Sequence, residues 1–217
     1  GSGSGDAAKV AVAGSVNINN LASNAKVVIG KNSQLIGTEA GGTAAVDVGA
    51  VASQKDIVLN GKVKYIIPKQ GSAGADTAVG GNVGVHTTDV NSLVVIGEGA
   101  NLAGPRIDIN ADNAVDNVAV TFGGGKDAST GVTGMVSYMN GNSNSIVAVD
   151  DEAKLQAGSS ADLNLKAVNN TAIWNVVADK TSASGTAIGA SVGVVDYNIN
   201  NIAAIADVDK DASSSAT

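Results

Sequence analysis

The chain contains no cysteine, one histidine, one arginine, one tryptophan, one phenylalanine and only two prolines in 217 residues. Without cysteine there can be no disulfide, no thiolate nucleophile and no Cys-based zinc or iron–sulfur site. Arg106 is the only guanidinium, so the fork that usually reads phosphate is almost missing. Aromatics make up 2% of residues, too few for the aromatic core packing of ordinary sandwiches and propellers. Glutamate is scarce as well, at 3 residues against 17 aspartates, and leucine numbers 8 against 45 valines and isoleucines. That balance withholds the residues that favour helices and supplies those that favour strands and turns. The net charge of −7 argues against nucleic acid and anionic membranes, which select a basic footprint. No apolar run approaches the ~18 residues of a transmembrane helix, so neither nucleic-acid binding nor membrane insertion is expected.

What is present is a repeat. The segments Ala11–Ile18, Ala78–Val85, Gly131–Tyr138 and Ala187–Val194 align without gaps on an anchor at Gly14, Gly81, Gly134 and Ala190. Ten residues past each anchor stands an asparagine: Asn24, Asn91, Asn144 and Asn200. Fifteen past it stand Ile29, Ile96, Val149 and Ile205, and twenty-one past it Leu35, Leu102 and Leu155. The anchors are 67, 53 and 56 residues apart, with the extra residues of the first unit read around Thr38 to Gln54. Residues 1–5, Gly-Ser-Gly-Ser-Gly, read as an engineered flexible linker. Residues 6–217 read as a single domain, a fragment of a longer array with units near 10–76, 77–130, 131–185 and 186–217.

Each unit divides into short alternating runs separated by small or polar residues. In the second unit these are Val79–Val85, Ser92–Ile96, Ile107–Ala111 and Val118–Phe122, with Asn, Asp and Gly expected at the corners. Alternation puts Ile107, Ile109 and Ala111 on one face and Asp108, Asn110 and Asp112 on the other. Units of ~50 residues built only of strands point to a propeller or a solenoid. The glycine and aromatic signature of a propeller blade is missing. The expected fold is therefore all-β, a right-handed parallel β-helix (β-solenoid) with roughly two coils per sequence unit and a core of stacked Val, Ile, Ala and Leu. Eight or so coils would make a rod ~40 Å long.

The run Gly81-Asn-Val-Gly-Val85, then Asn91, then Val94-Val-Ile-Gly-Glu-Gly-Ala-Asn-Leu-Ala-Gly104 resembles the passenger repeats of large bacterial exoproteins. Those families are filamentous-haemagglutinin-like two-partner-secretion proteins, autotransporter adhesins and leukotoxin-like exoproteins. The resemblance implies a β-helix outside the cell or on the bacterial surface, exported with an outer-membrane secretion partner. It implies an adhesin, a matrix component or a toxin, and a host-cell surface protein or glycan as partner. It maps no binding residue.

Candidate chemistry reads as structural almost throughout, and no catalytic residue, metal ligand or cofactor is expected. His86, with counterparts Asn19, Met139 and Val195, reads as a solvent-side strand residue, and no nucleophile elbow accompanies it. Asp150, Asp151 and Glu152 read as a solvated corner. Asp207-x-Asp209-x-Asp211 lacks the glycine and closing glutamate of a calcium loop. Gly123-Gly-Gly-Lys-Asp127 is a single imperfect copy of a calcium-binding repeat and reads as a connection. Arg106 beside Asp108 and Asp112 has the residue types of a polysaccharide lyase centre, but once only and without sugar platforms. The asparagine column reads as fold-maintaining, hydrogen-bonding the backbone of neighbouring turns at a corner. Trp174 with neighbouring Ile173 is the best candidate contact, the tryptophan being matched to Asp116 in the second unit and hence exposed.

The function that follows is a non-enzymatic structural and adhesive segment, a rigid stalk with a part in host-cell attachment. The alternative is the cell-binding region of a leukotoxin-like cytotoxin, and more remotely a carbohydrate-active β-helix enzyme. Uncapped end coils also predict head-to-tail self-association.

Overall fold

The computed structural model describes residues 10–37, 45–61, 76–124, 128–158 and 162–205, all of it strand and connection. The strands are β1 Val10–Ile29, β2 Gln34–Ile36, β3 Val46–Gly61, β4 Thr77–Ile96, β5 Asn101–Gly104 and β6 Ile107–Gly123. They continue with β7 Ala128–Val149, β8 Lys154–Ala157, β9 Leu163–Asp179 and β10 Ala183–Ile205. Three parallel sheets result, in the orders β1-β4-β7-β10, β2-β5-β8 and β3-β6-β9. The fold is an all-β parallel solenoid, as the strand-only repeat predicts.

Register follows the sequence repeat residue for residue. Gly14, Gly81, Gly134 and Ala190 share a column, as do Asn24, Asn91, Asn144 and Asn200. Leu35, Leu102 and Leu155 form another. One correction concerns the coils. A sequence unit makes one coil, not two, because the runs expected to be separate are parts of continuous strands of 16 to 23 residues. Four rungs at ~4.8 Å thus give a stack of roughly 15–20 Å, less than half the expected rod. The polar residues assigned to corners, such as Asn113, Asn117 and Asn140–Asn144, lie inside strands. Asn142 and Asn144 donate to Asp89 and Asn91 on the adjacent rung, while Asn113 and Asn117 donate across to the facing sheet, so they need no turn. The insertion also moves: Val46–Gln54 is the regular counterpart of Ile107–Val115. The additional residues of the first unit fall before Val46 and between Gly61 and Thr77.

The two long-stranded sheets face each other and run in opposite directions. Asn113 donates to the carbonyl of Val90, Asn117 to Thr88 and Asn82 to the carbonyl of Phe122, so one number falls as the other rises. The short sheet closes one end of this sandwich. There lies the apolar core, with Val94, Ile96, Ala100, Leu102, Ile107, Ile109, Ala111, Val147 and Val149 buried together. The turn leading into the short sheet takes the left-handed backbone at Asn32 (φ 56°) before β2 and at Gly99 (φ 65°) before β5. Asn and Gly are the residues that reach this region most cheaply.

At the other end the pattern reverses. The strands carry no bulge along β1, β4 and most of β7, so every second residue keeps facing the same side. The apolar residues do not keep step: Val12, Val16 and Ile18 have one parity, Ala25, Val27 and Ile29 the other. The second set joins the core, and the first is turned outward, with Val12, Val16 and Ile18 all exposed. Between the sheets at this end lie Asn60, Asn82, His86, Thr88, Asn117, Thr121, Thr133 and Ser137, all buried. The large aliphatic core therefore lies beside the short sheet, with a smaller cluster of Ala52, Val90 and Val115 in mid-strand and Ala119, Met135 and Met139 buried among the polar residues of the other end.

Leu102 is fully buried at the junction of all three sheets, between Leu35 and Leu155. Leu102→Ala should lower stability by about 2–5 kcal/mol, read from urea unfolding followed by circular dichroism. An unchanged midpoint would show that this core does not hold the stack.

Candidate functional site

The asparagine column forms a continuous side-chain network on the surface of the four-stranded sheet. The Asn200 amide donates to Asn144 at 2.8 Å, Asn144 to Asn91 at 2.7 Å and Asn91 to Asn24 at 2.8 Å. It lies mid-strand on the outer face, and its bonds run from side chain to side chain, where backbone bonds at a corner were expected. A primary amide has both a donor and an acceptor, so a column of identical amides can pair indefinitely.

Arg106 holds a second cluster together. Asp47 and Asp108 are register neighbours on successive rungs, a stacking of like charges. The Arg106 Nε lies 2.6 Å from Asp108 and its terminal nitrogen 3.7 Å from Asp47. On the third rung the position is Asn164, whose amide donates to Asp108 at 2.8 Å. The Asn164 amide and the Arg106 guanidinium together hold the Asp108 carboxyl below its usual range. The Arg106 guanidinium offsets the stack, and a carboxylate kept ionised and engaged in this way is poorly suited to act as an acid. Asp112 lies on the same outer face, two pairs further along β6.

His86 differs from expectation. It is buried, at 4% exposure, and points between the sheets because the even-numbered side chains of β4 face inward. Its column, Asn19, His86, Met139 and Val195, is the one the repeat predicts. A Cβ placed on Gly84 would lie within 3.2 Å of His86 Nε2 and Asn60 Nδ2 and 3.3 Å of Thr121 Oγ1, so these three tips converge there. None of the three atoms has a hydrogen-bond partner among the described residues. Burial lowers the His86 pKa, against a smaller upward pull from Asp56, whose carboxylate accepts a 2.6 Å hydrogen bond from Asn19. Sequence parity alone placed His86 outside; its inward position depends on which set of alternating residues the core captures.

The acidic corner splits up. Asp150 is buried and its carboxylate accepts the backbone N–H of Glu152 at 3.1 Å, while Asp151 and Glu152 face solvent. It is a self-bonded turn. Asp207, Asp209 and Asp211, residues 125–127 of the glycine-rich stretch, and the linker at residues 1–5 lie outside the described residues. Among the described residues no group of three or more acidic or histidine side chains could hold a metal ion.

Trp174 is 63% exposed on the outer face of β9. Ile173, its chain neighbour, points to the opposite side, as adjacent strand residues must, so the two do not form one contact. The counterpart of Trp174 is Val118, not Asp116, and beyond it Ile57. A gapless alignment on the anchors would pair Trp174 with Thr121; the longer connection from β8 to β9 moves the partner to Val118, and the match to Asp116 overshoots it. The tryptophan thus heads an apolar strip with Ile57, Leu59 and Val176, all exposed, a grouping that the sequence comparison missed by losing register.

Comparison with known proteins gives no matching family model, no matching curated protein and no matching solved structure.

Two predictions follow from this geometry. Asn91→Asp keeps the shape of the ladder but removes its donor to Asn24, and should cost about 0.5–1.5 kcal/mol in urea unfolding. If the variant matches the parent chain, the ladder is not a stabilising element. His86 is uncharged in the fold at a pH where the unfolded chain, with a pKa near 6.5, already takes up a proton. Its contribution is therefore constant above about pH 7.5 and is lost as pH falls through 6.5. His86→Gln should remove that part of the acid destabilisation, measured as unfolding midpoints between about pH 8 and 5.

Proposed function

We propose that this chain is a non-enzymatic structural and adhesive segment of a large secreted or surface-displayed bacterial exoprotein. It acts as a rigid spacer whose outer face takes part in host-cell attachment. The observation that carries the reading is the residue-for-residue register of the four units, through which each coil templates the next and continuous columns run through the stack. Such a rod can be built outside the cell without an energy source, since stacking itself supplies the driving force. Freedom from cysteine suits export of an unfolded chain, which premature cross-linking would obstruct. The resemblance to exoprotein passenger repeats supports the same location and an outer-membrane secretion partner.

The residue types that could have served catalysis are occupied structurally. Arg106 offsets the Asp47–Asp108 stack, Asp150 closes a turn, and His86 lies between two sheets. Attachment falls to the exposed strip headed by Trp174, because a large aromatic on a rigid sheet loses little entropy on contact. The cell-binding region of a leukotoxin-like toxin would use the same strip, and only its consequence for the cell would differ.

Labelled chain should bind leukocytes or epithelial cells saturably, with unlabelled chain competing. Trp174→Ala should weaken that binding roughly tenfold or more. Arg106→Ala should leave it unchanged. A strand-rich chain that fails to bind would leave a spacer without the adhesive role.

A further inference from the structure

The outer face of the four-stranded sheet carries four aligned columns at the end away from the short sheet. They are Val12/Val79/Val132/Ile188, Gly14/Gly81/Gly134/Ala190, Val16/Val83/Val136/Val192 and Ile18/Val85/Tyr138/Val194. Nine of these side chains are exposed large aliphatics: Val12, Val16, Ile18, Val79, Val83, Val136, Ile188, Val192 and Val194. None of the sixteen residues is charged, on a chain of net charge −7. The glycine column is a trough with bare backbone as its floor. A Cβ on Gly134 would meet nothing within 4 Å, and one on Gly14 or Gly81 would approach only the backbone carbonyl of the next rung. Beside the trough stands the ridge of Val16, Val83, Val136 and Val192.

A ridge next to a trough of the same pitch is self-complementary. A two-fold axis parallel to the solenoid axis, passing between the glycine and Val16 columns, lays each ridge into the other copy's trough. The same operation sets Val12 against Ile18, Val79 against Val85, Val132 against Tyr138 and Ile188 against Val194, apolar on apolar at every rung. One column further out, Val10, Thr77, Thr130 and Thr186 meet Asn20, Thr87, Asn140 and Asp196, a mostly polar rim. An axis one column away would leave the Ile18 column uncovered. From Val10 to Asn20 over four rungs the face measures roughly 700 Å² at ~3.3 Å per residue and ~4.8 Å per rung. A stable specific interface uses about 800 Å² per partner.

We propose that this face is a self-association surface: two copies pair side by side, sheet on sheet, about that axis, through the glycine trough and the Val16 ridge. The occupant is a second copy because shape, apolar flanks and rim all match under one rotation, and because a charge-free face lets two acidic chains approach. This pairing is lateral and closes at two, unlike growth at the exposed strand edges.

Sedimentation velocity of the full chain over about 1–200 µM should show a monomer–dimer equilibrium in roughly the micromolar range. Gly134→Val fills the trough where there is open space, and should leave the circular dichroism spectrum intact while weakening the dimer at least tenfold. Val83→Lys and Val136→Lys, on the ridge, should give monomers and carry the test should Gly134→Val fail to fold. Val176→Lys, on the outer face of the other long sheet, should leave dimerisation unchanged. A monomer at all concentrations, a dimer indifferent to trough and ridge variants, or open-ended oligomers would overturn the proposal. So would a monomer that co-sediments with phosphatidylcholine vesicles through Val83 and Val136, which would give the face to lipid.

Discussion

In-register parallel pairing is the constraint on which the rest of the structure depends. When each strand lies on its counterpart with no slip, every position becomes a column, and each column must tolerate contact with itself about every 4.8 Å. Aliphatic columns satisfy this by burial, as in Leu35, Leu102 and Leu155. Asparagine satisfies it by hydrogen bonding, since its amide is donor and acceptor at once. Aspartate does not satisfy it. Where Asp47 and Asp108 stack, an arginine spans them and the next rung turns to asparagine; where Lys55 follows in β3, Asp116 lies 3.4 Å away on the adjacent rung. The preference for Asn over charged residues in these units follows directly from that rule.

The same rule decides what the sequence could and could not disclose. Repeat positions were legible because the register copies them, and the anchor, asparagine and leucine columns fall where a gapless alignment puts them. The all-strand character was legible from composition. Coil length was not, because Asn, Asp and Gly signal turns in an isolated strand but are stable here, where the adjacent rung satisfies Asn91 and Asn144 and the facing sheet satisfies Asn113 and Asn117. The match of Trp174 to Val118 was hidden because the connection before β9 is longer than its counterpart, so the anchor spacing does not carry through to β9 and Asp116 overshoots the true partner. His86 was misplaced for a different reason. Alternation says which residues share a face but not which face is inside, and that choice was made far along the strand by Val94 and Ile96.

That distant choice gives the molecule two dissimilar ends. Beside the short sheet, apolar residues fill the interior, although Val28 and Ile202 also look outward from the four-stranded sheet there. At the other end polar side chains meet between the sheets with only Ala78, Ala119, Met135 and Met139 as apolar company among the described residues, and larger aliphatics look outward. A strand could restore the usual arrangement by inserting a single bulge, which exchanges the two faces. The register shows none along β1 and β4, while β10 shifts only between Ala183 and Thr186, outside the inverted stretch. The inverted end buries fewer large aliphatics and leaves atoms of Asn60, His86, Thr121 and Ser137 without a hydrogen-bond partner among the described residues. Each such atom costs about 1–3 kcal/mol. Stability must therefore come chiefly from the apolar end and from the backbone ladders, and the inverted end is held in place by being continuous with them.

An outward aliphatic face on an uninterrupted strand also has a consequence that scales with length. Every additional rung of this kind would extend the ridge and trough by ~4.8 Å and enlarge the lateral face in proportion, whereas the strand edges at the ends stay the same size. Side-by-side contact thus strengthens with the number of coils, while end-to-end contact does not. The small residues at Gly14, Gly81 and Gly134 set how closely two such faces can approach, and Ala190 narrows the trough on the fourth rung. A glycine column facing solvent is costly in strand propensity and gives nothing to the core. Its place between two valine columns is explained by what it admits from outside.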